Sequence, residues 1–229
     1  MHYLLIFLFV IGSILGPQLW IRWVFFRYGH DNPGIPGTGG ELAKHLIQRF
    51  ELGEVIVEET DPNRDHFDSS TPAVRLSPDN YNGKSLTAIA VAAHEVGHAI
   101  QWHRKETVFK LRTKYIPLAK RLQQIGFMLL ALAPIAGILT RSPIGAALPL
   151  LGGVVAALCG AATYLIILPE EWDASFNKAM PILIDGEYIT PEQEFATRRI
   201  LRAAALTYAA AALASLLQVW RWLPLVLRR

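Results

Sequence analysis

The sequence predicts a predominantly α, integral-membrane protein: about four transmembrane helices, with a small α+β region of short strands between the first two. Three observations predict it. The mean hydropathy of +0.28 over 229 residues is high for a soluble domain of that size, and the apolar residues gather in long runs. Four of those runs, about residues 3–21, 124–140, 144–168 and 203–220, approach the ~20 residues that cross a bilayer. The polar interval 28–123 instead mixes turn formers with short amphipathic stretches. Cys159, the single cysteine, excludes an intrachain disulfide and a cysteine-rich structural zinc site. The net charge of +3 sits beside apolar segments rather than in a patch interleaved with aromatics, so no nucleic-acid partner is expected.

Residues 1–27 read as an uncleaved anchor. They lack the basic start and small-residue cleavage site of a signal peptide, and Trp20, Trp23, Phe25, Phe26 and Tyr28 form an aromatic belt with Arg22 and Arg27. Within 28–123, the Pro/Gly-rich stretch 32–40 is a loop. Glu41 to Leu52 follows as an amphipathic helix with Leu42, Leu46, Ile47 and Phe50 on one side, stopped by Gly53. Val55–Val57 and Ala73–Ser77 are short strands, separated by a polar loop over 61–71. A helix then starts at an N-cap, Ser85, and runs through Gln101 without Pro or Gly before the Val96-Gly97 step.

Residues 124–168 form a helical hairpin turned at Arg141-Ser142-Pro143. Gly152, Gly153, Ala156, Ala157 and Gly160 suit close helix packing there. Pro169 followed by acids is a helix start for a polar region over 169–202, and 203–229 is a transmembrane or interfacial helix. Arg104, Lys105, Lys110, Arg112, Lys114, Lys120 and Arg121 place 28–123 in the cytoplasm by the positive-inside rule, and 169–202 returns to the same face. Arg221, Arg228 and Arg229 oppose that rule if 203–220 crosses.

His94-Glu95-Val96-Gly97-His98 carries the chemistry. Residues four apart on a helix share a face, so His94 and His98 can bind one metal ion, and Glu95 can take a proton from water activated there. Catalytic zinc commonly takes three protein ligands. The third must come from the same side of the membrane, where Glu170, Glu171 and Asp173 stand close together.

Ala90 to Gln101 around this motif, Val74-Arg75-Leu76-Ser77, the Asp65-His66-Phe67-Asp68 loop and Leu168-Pro169-Glu170-Glu171-Trp172-Asp173-Ala174-Ser175 together carry a resemblance. The chain resembles the bacterial membrane-bound neutral zinc metallopeptidases of the YugP or zinc-peptidase-2 type. It is more distantly similar to integral-membrane gluzincins, whose third ligand is the Glu of an E-x-x-A-D pattern. Laid on that pattern, Glu171-Trp172-Asp173-Ala174 matches, and Ser175 stands where Asp is usual. The resemblance implies a zincin-like cytoplasmic catalytic region with zinc held by His94, His98 and Glu171, and Glu95 as general base. It also implies a protein or peptide substrate hydrolysed at the membrane, and the strand at 73–77 as either the edge that pairs with substrate or an internal strand. His66, His103 and Tyr115 are candidates to stabilise the oxyanion. Two other readings stand beside it. One is a site-2-like intramembrane protease, because 86–102 is apolar; the other is a membrane scaffold that keeps zinc for folding.

Overall fold

A computed structural model describes the backbone of residues 2–141 and 143–218. It describes their side chains apart from those of residues 2–11, 13, 14, 111, 112, 133, 134, 143–146, 148, 150, 164, 208 and 211–218. The chain divides into two compact units. One comprises Met1–Pro17, Leu111–Leu168 and Tyr208–Arg229; the other comprises Gln18–Lys110 and Pro169–Thr207 and contains the H-E-x-x-H helix.

After α1 (His2–Tyr28), the amphipathic helix forms as α2 (Gly39–Arg49). Its start is a capping box: Thr38 Oγ1 accepts the Glu41 N–H at 3.2 Å, and Glu41 Oε2 accepts the Thr38 N–H at 2.8 Å. Leu42, Ala43, Leu46 and Ile47 are buried, as the apolar spacing demands. The helix stops at Arg49, because Glu51 adopts a positive φ of 55° that turns the chain before Gly53 is reached.

Three strands follow: β1 (Ile56–Glu59), β2 (His66–Asp68) and β3 (Ala73–Leu76). The order is β1-β3-β2, with β3 parallel to β1 and antiparallel to β2. β3 is therefore the internal strand, the second of the two readings that the sequence leaves open. Its backbone is already committed to both neighbours, with Val74 opposite Val57 on one side and Phe67 on the other. β2 lies inside what the sequence presents as a polar loop. Across the sheet, Arg75 binds both Glu58 and Asp68. Asp68 also accepts from the backbone and hydroxyl of Ser70 and the hydroxyl of Thr71.

The short α3 (Pro78–Tyr81) leads into α4 (Leu86–His103). Ser85 caps α4, its Oγ accepting the Ala88 N–H at 3.0 Å. Every residue from Leu86 through Gln101 is buried. α2, α3, β2, β3, a π-helical segment over Asp173–Ala179 and α7 (Met180–Asp185) all pack on it. A helix apolar all round is one enclosed on all sides, and here protein provides the enclosure.

The remaining helices are α5 (Thr107–Thr140), α6 (Pro143–Trp172) and α8 (Pro191–Gln218). A Cβ added at Gly152 or Gly153 of α6 would meet Leu129 or Leu130 of α5 within 2.8 Å, so these glycines permit the close packing of the two helices.

Two sequence expectations are corrected by these helices. First, among the described residues one helix, Leu151–Asp185, is long and apolar enough to cross a membrane, rather than about four. The 124–140 run is the second half of α5, whose first half carries Lys110, Lys114, Lys120 and Arg121. The 203–220 run continues α8, whose first turns carry Glu192, Glu194, Arg198 and Arg202 and whose Ala203 and Ala205 are buried inside the protein. Most side chains of the 3–21 run, and residues 219–229 with Arg221, Arg228 and Arg229, lie outside the described residues. Second, Pro169 does not begin a helix. α6 runs through it to Trp172 and continues as the π-helical segment. A proline inside a helix costs about 3 kcal/mol, and the buried residues just beyond it, Glu170, Glu171, Ala174 and Ser175, tie the segment into the core.

Candidate metal centre

The spacing of four in α4 sets His94 and His98 on one face, with ring centroids 4.7 Å apart and planes at 81°. Their Nε2 atoms approach to 3.2 Å. Glu171, in the last turn of α6, brings its Oε2 to 3.3 Å from His94 Nε2 and 3.4 Å from His98 Nε2. The three donors make a nearly equilateral, buried triangle. A tetrahedral zinc with ligand bonds of about 2.0–2.1 Å spaces its donors by roughly 3.3 Å, and two imidazoles with one carboxylate are ordinary zinc ligands. The residues fit the ion, and the triangle leaves a fourth vertex for water or substrate.

Gly97 explains how the third donor comes so near. A Cβ there would lie 2.9 Å from the carbonyl oxygen of Ala174 and 3.3 Å from its Cα, so α4 and the π-helical segment touch backbone to backbone. π-Helical turns inside helices recur at functional sites. Glu171 and Ser175, four residues apart, both reach α4 across this contact.

The outer nitrogens of the rings are also held. His94 Nδ1 lies 3.1 Å from Ser175 Oγ, and that hydroxyl donates to the Leu201 carbonyl at 3.4 Å. A proton on His94 Nδ1, accepted by this hydroxyl, is the arrangement that leaves the Nε2 lone pair for the triangle, and the Leu201 carbonyl is there to take the hydroxyl proton. Ser175, which stands where the gluzincin pattern has Asp, meets the His94 ring as a hydroxyl. His98 Nδ1 lies 2.9 Å from Gln101 Oε1. Gln101 is not among the residues that the sequence singles out, although its place three residues after His98 on the same helix is the signal that finds it.

The electrostatics follow from burial. Desolvation pulls the His98 pKa down, but Glu171, Glu95 and Glu170 outweigh it and the ring is pushed up to about 9. Burial raises the pKa of Glu95 above the usual carboxylate range, partly offset by His94 and His98. Of the other acids proposed as third ligand, Glu170 has its Oε1 3.6 Å from His98 Nδ1, on the outer side of the ring. Asp173 is taken up by Gln101, Asn177 and Lys178.

Of the oxyanion candidates, His66 is exposed on β2 and donates from Nδ1 to the Arg64 carbonyl at 2.7 Å. His103 is exposed at the end of α4, and Tyr115 is exposed on α5 under Lys114. None of the three is among the described contacts of His94 and His98.

Two histidines one helical turn apart, closed by a buried carboxylate, are the donor set of a zinc metallopeptidase, a hydrolase. The match along the chain points to the same class. A family described as "Putative neutral zinc metallopeptidase" matches residues 3–227, and the chain belongs to that family. It is also 33% identical over 232 residues to "Putative membrane protease YugP" of Bacillus subtilis (strain 168), covering 97% of each chain. No solved structure matches the chain significantly.

Proposed function

We propose that the protein is a membrane-attached zinc endopeptidase of gluzincin type that cleaves extended polypeptide segments at the cytoplasmic face. His94, His98 and Glu171 hold the zinc, and Glu95 is the general base. The observation that carries this reading is the donor triangle, with separations of 3.2, 3.3 and 3.4 Å.

Zinc bound there supplies Lewis acidity toward the scissile carbonyl and the attacking water. Glu95, beside His94 on α4, takes the proton from that water and returns it to the leaving amine. An extended substrate adds to the edge of β2, the antiparallel strand that packs against α4, so that main-chain hydrogen bonds supply affinity. Membrane attachment is supported by the helix Leu151–Asp185 and by the name of the B. subtilis relative. The cytoplasmic face is supported by the basic residues from Arg104 to Arg121.

The enclosure of α4 by protein argues against an intramembrane reading, since its apolar surface already has partners. A set of three protein donors rather than four, with the acid Glu95 next to His94 on the same helix, argues against a purely structural zinc.

Casein cleavage by the detergent-purified full chain, beside Glu95→Gln, tests the proposal with zinc counted in both. The expected result is cleavage by the wild type, a loss of about 10²–10⁴-fold in Glu95→Gln, and zinc retained in each. A wild type without zinc, or equal cleavage by both proteins, overturns it.

A further inference from the structure

Behind His98, on the side away from the triangle, a line of polar groups runs from the buried Gln101 outward to the half-buried Asp173 and Glu106. Gln101 is fully buried. Its Oε1 sits 2.9 Å from His98 Nδ1, and its Nε2 donates to the Glu170 carbonyl at 3.0 Å and to Asp173 Oδ2 at 2.8 Å. Asp173 in turn binds Lys178, whose Nζ reaches Glu106 Oε2 at 2.8 Å. Lys178 is itself nine-tenths buried, and Asn177 Nδ2 occupies the other oxygen of Asp173 at 2.8 Å.

A side-chain amide has nearly the same shape in its two orientations, so its partners decide which one it takes. Two acceptors, a backbone carbonyl and a carboxylate, meet one end of the Gln101 amide. Turning the amide over would aim its oxygen at both of them. The nitrogen is therefore fixed toward Glu170 and Asp173, and the oxygen toward His98. That oxygen can only accept, which keeps a proton on His98 Nδ1 and makes Nε2, inside the triangle, the nitrogen that a metal would take. Asp173 holds the amide with its charge compensated by Lys178, which Glu106 holds in place from the other side.

We propose that the relay Glu106–Lys178–Asp173–Gln101 positions His98 for metal binding, with Gln101 as the positioning residue that sets zinc affinity. The inference rests on the zinc reading given above. It also gives the relay a second task. Gln101 belongs to α4 and Asp173 to the segment just beyond Glu171, so the same bonds that orient the ring clamp the two ligand-bearing stretches together. A hydrocarbon core would hold the helices as firmly; it would not select a tautomer.

The test is zinc affinity of the folded full chain, measured by chelator competition beside thermal unfolding. Gln101→Met keeps the length of the side chain and removes its hydrogen bonds. It is expected to weaken zinc binding by about 10–100-fold. Gln101→Glu keeps an acceptor for His98 but faces Asp173 with no donor, so it also binds zinc weakly. The double variant Gln101→Glu/Asp173→Asn exchanges acid and amide, restores the donor and recovers most of the lost affinity. This pair carries the test if Gln101→Met fails to fold. Zinc affinity of Gln101→Met within about twofold of the wild type, or equal affinities for the single and double variants, overturns the proposal. Absence of zinc from the wild type is a separate result that overturns the metal reading itself and this inference with it.

Discussion

α4 delivers His94 and His98 from one uninterrupted helix, capped by Ser85 and buried along its length, whereas Glu171 arrives from a helix that runs through a proline and then widens into a π-helical turn. The first stretch is set by local chemistry: a cap, a run of helix formers and a spacing of four. The second is set by tertiary contact. Its position depends on the missing side chain of Gly97, the hydroxyl of Ser175 and the Gln101–Asp173 hydrogen bond, each of which links residues far apart in the chain. Two donors of the triangle thus come from sequence-local geometry, and the third from packing. Perturbing the packing should therefore move the metal site while leaving α4 helical.

The largest such effect is expected from Gly97→Ala. In an exposed helix this change stabilises by roughly 1 kcal/mol. Here the new Cβ meets the Ala174 backbone at 2.9 Å, and that backbone cannot yield without carrying Glu171 away. The sign reverses, to a destabilisation of about 1–3 kcal/mol. Melting with and without a chelator should show a lower Tm and a smaller gain from zinc. A higher Tm would mean that the two stretches are not in close contact.

Ser175→Ala is expected to act more gently. The fold should persist, since the hydroxyl is small and its bond to Leu201 is long at 3.4 Å. His94 loses the partner that fixes its tautomer, so zinc affinity should fall by about tenfold, read by chelator competition. Unchanged affinity would detach Ser175 from the metal and leave it a packing residue.

The smallest effect lies in the sheet, remote from this contrast. Ser70, Thr71 and Arg75 hold the Asp68 carboxyl well below its usual pKa, and Asp68 in turn raises that of Arg75. A group depressed in the folded state stabilises fully above its unfolded pKa, near 3.8, and loses that contribution as pH falls toward the folded value. Asp68→Asn should therefore lower the Tm at neutral pH by a margin that narrows below about pH 4. A margin independent of pH would show that the ion network contributes no charge-linked stability.

The same contrast decides what could be read from the sequence. The helix of the H-E-x-x-H motif is legible because Ser85 and the apolar run state it locally, and α2 is legible in the spacing of Leu42, Leu46 and Ile47. β2 is not, because its three residues sit among turn formers and gain their strand from register with β3. Nor is the internal position of β3, since alternation of Val74 and Leu76 reports a buried face and says nothing of neighbours. The passage of α6 through Pro169 contradicts a sound local rule for a tertiary reason, the tie of the following residues to α4. The overcounting of membrane spans has a related origin. Hydropathy alone does not distinguish an alanine-rich helix buried by its own protein, such as the start of the 203–220 run, from one facing lipid. Ser175 and Gln101 escape because a hydroxyl and an amide acquire their roles only through the partners that fix their direction.

The most direct test of the central claim is the zinc content of Glu171→Gln measured beside Glu170→Gln and the wild type. The two glutamates are adjacent and buried, yet the Oε2 of Glu171 closes the triangle while the Oε1 of Glu170 lies behind the His98 ring. Zinc is expected in the wild type and in Glu170→Gln, and its loss is expected in Glu171→Gln. Zinc retained in Glu171→Gln and lost from Glu170→Gln would contradict it, and the third donor would have to be sought on the other side of the ring.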